Sequence, residues 1–173
     1  MIFLDLINLQ KIRRVILYIF CVGVAFWLQF AVFSRLALPG NVKPFFVPAV
    51  VTAIGLWEGG VWGGVFGLGA GLYCDGNFAG STVTFLLLFT AVGFFSGVLA
   101  DYVINRRFVA YLLLSLAALA LTALVQILPL WIFYGSSPGE LLPVGGLQAL
   151  WSWPFSVPAY FAVRAVARSG GEG

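Results

Sequence analysis

The chain is a series of apolar stretches separated by short groups of charged, glycine and proline residues. Six stretches read as helical spans, at residues 15–34, 44–57, 60–75, 82–100, 108–129 and 147–163. A helix needs about 20 apolar residues to cross the roughly 30 Å of hydrocarbon in a bilayer, and the second and third stretches are shorter than that. The pattern predicts an all-α polytopic membrane protein, with residues 1–173 forming one transmembrane domain of about six helices.

Composition supports the same class. Hydrophobic residues make up 62% of the chain and charged residues only 9%, and the mean hydropathy is +1.05. A soluble domain carries about 25% charged residues, so most of this surface is expected to face lipid. The first apolar stretch is about 20 residues long and uncharged, which favours a retained helix over a cleaved signal peptide.

The basic residues predict the topology. Residues 45–74 read either as one long tilted helix or as two short helices, which would form two full spans or a re-entrant pair. Two helices place seven basic residues on one side: Lys11, Arg13, Arg14, Arg106, Arg107, Arg164 and Arg168. Only Arg35 and Lys43 then lie on the opposite side. A single helix would instead place three basic residues on the inner side and six on the outer side. The positive-inside rule favours two helices, with both termini cytoplasmic.

Glycines recur at a spacing of four residues. The series Gly55, Gly59, Gly63, Gly67, Gly71 continues to Asp75, and a second series runs Gly93, Gly97, Asp101. Residues four apart share one helical face, and small side chains there let a neighbouring helix approach closely. The two glycine series predict either packing inside the bundle or docking of another protein's transmembrane helix. Gly60 and Gly64 form a further, parallel row beside the first series. The candidate helix-packing or partner-binding residues are Gly59, Gly63, Gly67, Gly71, Asp75, Gly93 and Gly97.

The acidic residues lie at span ends, where charge is less costly than at mid-bilayer. Asp75 has three interpretations: capping of local backbone amides, pairing with Arg35, or binding of a proton or ligand. Asp101 is expected to form an interfacial ion pair with the basic loop of Arg106 and Arg107. That loop either contacts cytoplasmic filaments and anionic lipid or serves only as a topology signal.

The sequence offers no catalytic apparatus. It contains no histidine, which removes the usual general base and zinc ligand. It has no phosphate-binding GxxxxGK[ST] loop, and Cys21 and Cys74 have no metal-binding or redox spacing. We therefore expect no enzyme activity, no catalytic residue, no cofactor, no metal and no nucleic-acid partner.

The segment from about residue 44 to 107 carries a distinctive set of residues: Pro48, Glu58-Gly59-Gly60, WGGVFGLGAGLYCD at 62–75, Gly80, Gly93-Phe94 and Arg106-Arg107. This segment resembles the rod shape-determining MreD family. The resemblance implies a non-catalytic membrane scaffold of the bacterial cell-elongation machinery, in the bacterial cytoplasmic (inner) membrane, that regulates peptidoglycan synthesis. The implied partner is the membrane-anchored protein MreC. RodA, its class B penicillin-binding protein and MreB filaments are further implied contacts.

The alternative is a substrate-binding membrane subunit of an energy-coupling factor transporter, a six-helix protein of similar size and glycine content. Such a subunit needs an outward-facing cavity with several polar ligand contacts. It also needs a face of small residues on an early helix, where its energising partner docks. The first predicted helix is bulky and offers only Cys21, Gly23 and Ala25 for that purpose.

Overall fold

The fold is all-helical, as the sequence predicts. The computed structural model describes residues 9–33, 35, 42–77, 83–102, 107–135 and 137–169, and these contain no β-strand. Seven α-helices follow one another: α1 (Leu9–Leu28), α2 (Val47–Glu58), α3 (Gly60–Asn77), α4 (Thr84–Tyr102), α5 (Phe108–Tyr134), α6 (Pro138–Ser152) and α7 (Ser156–Ser169). A π-helical turn, Gln29–Phe33, extends α1, and a 3-10 turn, Trp153–Phe155, joins α6 to α7.

Three helical stretches in the described part of the chain are long and apolar enough to cross a membrane. They are Ile12–Phe33, Thr84–Tyr102 and Phe108–Ile132, which is consistent with a membrane protein. The α2 helix is apolar but has only 12 residues, or about 18 Å of length. It is followed by α3, whose glycines lower its hydropathy.

Two local expectations are wrong. The last predicted span starts at residue 147, whereas the helix in this region starts at Pro138, because proline at the first position of a helix has a φ angle that suits the helix and no N–H to leave unpaired. Glu140 therefore lies in a helix. The α5 helix also continues through Pro129 to Tyr134 instead of ending near the proline.

The centre of the bundle is α2. Ten consecutive residues, Val47 to Leu56, are buried, because α1, α3, α4, α5 and α7 all pack around this helix. A helix that is apolar on every side is suited to such a position. Its one polar side chain within that stretch, Thr52, donates a hydrogen bond of 2.8 Å to the carbonyl of Pro48 and so leaves no buried hydroxyl proton unpaired.

The segment before α2, residues 42–46, is extended and mostly buried. Its backbone groups have no partners within a helix, so they need hydrogen bonds from elsewhere. Side chains from other helices supply them. The amide of Gln29 donates to the carbonyl of Pro44 at 2.7 Å and accepts a hydrogen bond of 3.3 Å from the N–H of Phe46. The N–H of Phe45 donates to the hydroxyl of Ser152 at 2.7 Å. The π-turn of α1 and the end of α6 thereby fix the entry to α2.

A buried tyrosine connects three helices on the other side of α2. The hydroxyl of Tyr111 in α5 lies 3.1 Å from the carbonyl oxygen of Ala49 in α2 and 2.9 Å from that of Ser156 in α7. Its ring packs against Tyr160, with ring centroids 5.0 Å apart.

We expect Tyr111→Phe to lower the free energy of unfolding by about 1 kcal/mol, because the hydroxyl is buried and its hydrogen bond has no substitute. Tyr102→Phe is the matched control, since Tyr102 is 85% exposed. Thermal unfolding of the detergent-solubilised protein measures both. Equal stability of the two variants would show that the Tyr111 hydroxyl is not a structural contact.

Candidate functional site

The glycines of α3 and α4 bring the two backbones into direct contact. We call this surface the glycine seam: Gly63, Gly67 and Gly71 of α3 with Gly93 and Gly97 of α4. A Cβ atom built at Gly71 would lie 2.5 Å from the Cα of Leu86, and one at Gly67 would overlap the carbonyl of Phe89. Neither position has room for a side chain. The residues with spacing four therefore face a neighbouring helix of the same chain.

The α2 helix joins the seam at one point. A Cβ at Gly63 would lie 2.6 Å from the Cα of Gly55, and one at Gly55 would overlap the carbonyl of Gly93. Gly55, Gly63 and Gly93 thus mark the place where three helices meet without intervening side chains. The parallel row also faces α4, since a Cβ at Gly60 would lie 2.9 Å from a methyl carbon of Val98.

A single residue, Gly59, separates α2 from α3. Its φ angle of +91° is in a region that side-chain-bearing residues rarely adopt. Its N–H donates to the carbonyl of Gly55 at 2.9 Å, and its own carbonyl accepts from the N–H of Gly63 at 2.9 Å. Residues 45–74 therefore contain two helices and not one long helix.

Asp75 caps the start of α4. Its Oδ1 accepts a hydrogen bond of 3.0 Å from the N–H of Phe85, and its Oδ2 accepts one of 2.8 Å from the N–H of Leu86. The first N–H groups of a helix have no partner within the helix, and a carboxylate also interacts favourably with the helix dipole there. Of the three interpretations given above, this geometry is the capping one. Arg35 and Asp75 are both described, and they form no ion pair.

Another acidic residue, Glu58 at the end of α2, contacts α1. The hydroxyl of Tyr18 donates to its Oε1 at 2.7 Å, and a guanidinium nitrogen of Arg14 lies 3.6 Å from the same oxygen. These contacts connect the first helix to the turn at Gly59. Sequence reasoning did not find Tyr18, because nothing in a tyrosine inside an apolar helix signals a carboxylate 40 residues away.

The basic loop is only partly described. Arg107 is exposed and precedes α5 as its N-terminal flanking residue. Arg106 lies outside the described residues, so its predicted ion pair with Asp101 also lies outside them. Asp101 itself is exposed at the end of α4, with its Oδ2 3.3 Å from a Cβ built at Gly59.

An open apolar groove lies between α1 and α3, with a volume of about 620 Å³. We call it the α1–α3 groove; its walls include Phe26, Trp27, Phe30 and Tyr73, and Gly23 and Gly69 line it as well. A Cβ at either glycine would have no neighbouring heavy atom within 4 Å. These two glycines therefore differ from those of the seam, because no described residue packs against them from a neighbouring helix. Gly69 follows no spacing of four with the seam residues, so the periodicity of the sequence did not single it out.

Comparison with known proteins adds no family assignment. No protein-family model matches the chain, and neither the curated proteins nor the solved structures give a match. In the described residues, histidine, cysteine and acidic side chains form no group of three that could hold a metal ion. The site described above thus consists of packing surfaces, a helix cap and a groove.

We expect Gly67→Ala to destabilise the protein by about 1–3 kcal/mol, because the added methyl overlaps the backbone of α4. Gly71→Ala should behave alike, and leucine at either position should prevent α3 and α4 from associating. Gly69→Ala is the matched control, with stability unchanged or higher by up to about 1 kcal/mol, since alanine is the better helix former. Leu68→Ala and Leu72→Ala, on exposed positions, should have small effects. Thermal unfolding in detergent measures these stabilities. Equal stability of the Gly67→Ala and Gly69→Ala variants would contradict the close contact between the backbones of α3 and α4.

We expect Asp75→Asn to lower the free energy of unfolding by about 1–2 kcal/mol, because an amide offers one acceptor oxygen where the carboxylate offers two. Glu140→Gln in α6 should change it less. Hydrogen exchange of the Phe85 and Leu86 amides should accelerate in the Asp75 variant alone. Unchanged exchange at those amides would show that the cap is not formed in the protein in solution or detergent.

Proposed function

We propose that the chain is a non-catalytic membrane scaffold subunit of the bacterial cell-elongation machinery, of the MreD type. In this proposal it binds the membrane anchor of an MreC-like protein and regulates peptidoglycan synthesis through that complex. RodA, its class B penicillin-binding protein and MreB filaments are the further proposed contacts. The protein would lie in the cytoplasmic membrane with six spans and both termini in the cytoplasm.

The first support for this proposal is the structural role of the residues that carry the resemblance to the MreD family. Pro48 lies at the start of α2, Glu58 contacts α1, Gly59 forms the turn, the seam glycines pack helices, and Asp75 caps α4. Each of these residues shapes the backbone or joins two helices. A motif whose residues shape the backbone in this way suits a scaffold.

The observation that carries the proposal is the α1–α3 groove. Helices associate in lipid mainly through close packing, and small residues on one helix let the other approach. Gly23 and Gly69 provide such positions in the groove and have no neighbour within the described part of the chain. The seam glycines are already occupied by α4, so we assign the proposed partner helix to the groove and not to the seam.

The proposed cytoplasmic face is basic. Arg13, Arg107 and Arg168 are exposed at helix ends, and in the six-span topology all three lie on the inner side. They offer contacts for cytoplasmic filaments or for anionic lipid headgroups, whose attraction is about 1 kcal/mol per basic residue near the surface.

We expect Gly69→Leu and Gly23→Leu to reduce recovery of the partner without unfolding the protein, because a leucine side chain fills the empty groove. Ala117→Leu on the exposed side of α5 is the matched control and should recover the partner normally. The measurement is affinity recovery of the tagged protein from native membranes in mild detergent, followed by mass spectrometry.

An MreC-like protein or the peptidoglycan synthase among the recovered proteins, lost in the groove variants, supports the proposal. Recovery of a pair of ATPases with a membrane coupling subunit overturns it in favour of the transporter subunit. Equal partner recovery by all three leucine variants would reject the groove as the docking surface.

A further inference from the structure

A second cavity lies where the extended segment enters α2, and its lining is polar. We call it the glutamine cavity; its volume is about 150 Å³, and Gln29, Phe30, Lys43, Phe45, Gln126 and Gln148 line it. The three carboxamides come from three different elements: the π-turn after α1, α5 and α6. Polar side chains are costly within a membrane bundle and tend to mark functional sites, as π-turns also do.

One of the three glutamines binds the protein with both its nitrogen and its oxygen. Both ends of the Gln29 amide bind backbone groups of the extended segment, at Pro44 and Phe46. Gln29 therefore positions the wall of the cavity and has no structural need of a ligand. The remaining polar groups must account for any binding.

Gln126 and Gln148 use only part of their hydrogen-bonding capacity. The Nε2 of Gln148 lies 3.3 Å from the Oε1 of Gln126 and donates to it. Within the described residues, no acceptor pairs with the Nε2 of Gln126, and no donor pairs with the Oε1 of Gln148. Both residues are half-buried, and both of these atoms keep accessible surface, so they can bind a ligand in the cavity.

Lys43 adds a positive charge beside these amides. It lines the cavity, is exposed, and forms no ion pair with a described acidic residue. Phe30 and Phe45 give the lining two aromatic rings, and Pro44 adds an apolar ring. The ammonium group of Lys43 and the free N–H groups of Gln126, together with these rings, make the lining complementary to an anion that has an apolar substituent.

We propose that the glutamine cavity binds a small monocarboxylate with an apolar or aromatic substituent. Lys43 and the Nε2 of Gln126 would contact the carboxylate, and Phe30 and Phe45 would contact the apolar part. A volume of about 150 Å³ equals about five water molecules at roughly 30 Å³ each, which limits the ligand to about the size of one ring with its carboxylate. This inference does not depend on the proposed scaffold function, since the cavity is separate from the α1–α3 groove except for Phe30.

Sodium benzoate is the probe, and the full chain in phospholipid nanodiscs is the sample. Saturation-transfer NMR of benzoate, with empty nanodiscs subtracted, should give saturable binding to the wild-type protein. Benzamide has the same ring without the charge and should bind about tenfold more weakly, because hydrogen bonds to a charged group are the stronger ones. Lys43→Gln should weaken benzoate binding by about the same factor, whereas Arg35→Gln, another exposed basic residue, should leave it unchanged.

Gln126→Leu is expected to weaken benzoate binding as well, and its thermal unfolding shows whether it remains folded. Lys43→Gln keeps the test decisive, because Lys43 is exposed and its replacement leaves the bundle intact. Absence of saturable benzoate binding, equal binding of benzamide, or full binding by the Lys43 variant would each overturn the proposal. Displacement of benzoate by inorganic phosphate at equal concentration would also overturn it, since the cavity would then be selective for charge and not for a carboxylate.

Discussion

The direct contact between the backbones of α3 and α4 is the interaction on which the rest of the structure depends. Glycine weakens a helix by about 1 kcal/mol relative to alanine in water, so the seam is maintained only because close packing compensates for that loss. The contact is held at both ends. Gly59 fixes where α3 begins, and the Asp75 carboxylate binds the first amides of α4. Sliding one helix along the other would break the cap and, at the same time, separate the glycines of α3 from those of α4.

The other helices surround α2 through polar contacts between distant parts of the chain. Gln29 and Ser152 satisfy the extended segment, and Tyr111 connects α5 to α2 and α7. The Gln29 and Ser152 side chains pair with backbone groups that lie outside any helix, and the Tyr111 hydroxyl joins helices through their carbonyls. In an apolar bundle such bonds determine which arrangement of helices is satisfied, whereas the apolar side chains alone would permit several.

Local periodicity accounts for most of what the sequence could predict. The all-helical fold follows from the apolar stretches, and the division at Gly59 follows from the basic residues and the positive-inside rule. The spacing of four placed the seam glycines on one face. It could not say whether the neighbour on that face was α4 or another protein, because periodicity describes one helix and not its surroundings. The α1–α3 groove and the glutamine cavity were out of reach for the same reason: Gln29 and Gln148 approach the same cavity from positions more than a hundred residues apart.

The one-residue connection at Gly59 has a consequence for how the protein is made. In a bilayer, α2 is too short to span by itself, and α3 is not among the stretches apolar enough to do so. A translocon that tests each segment for hydrophobicity would therefore find two weak candidates joined without a loop. In a bilayer the pair would enter as a hairpin and be retained when α4, which is long and apolar enough to span, emerges to cover the glycines. Synthesis order, with α4 following α3 directly, would then be part of the folding mechanism.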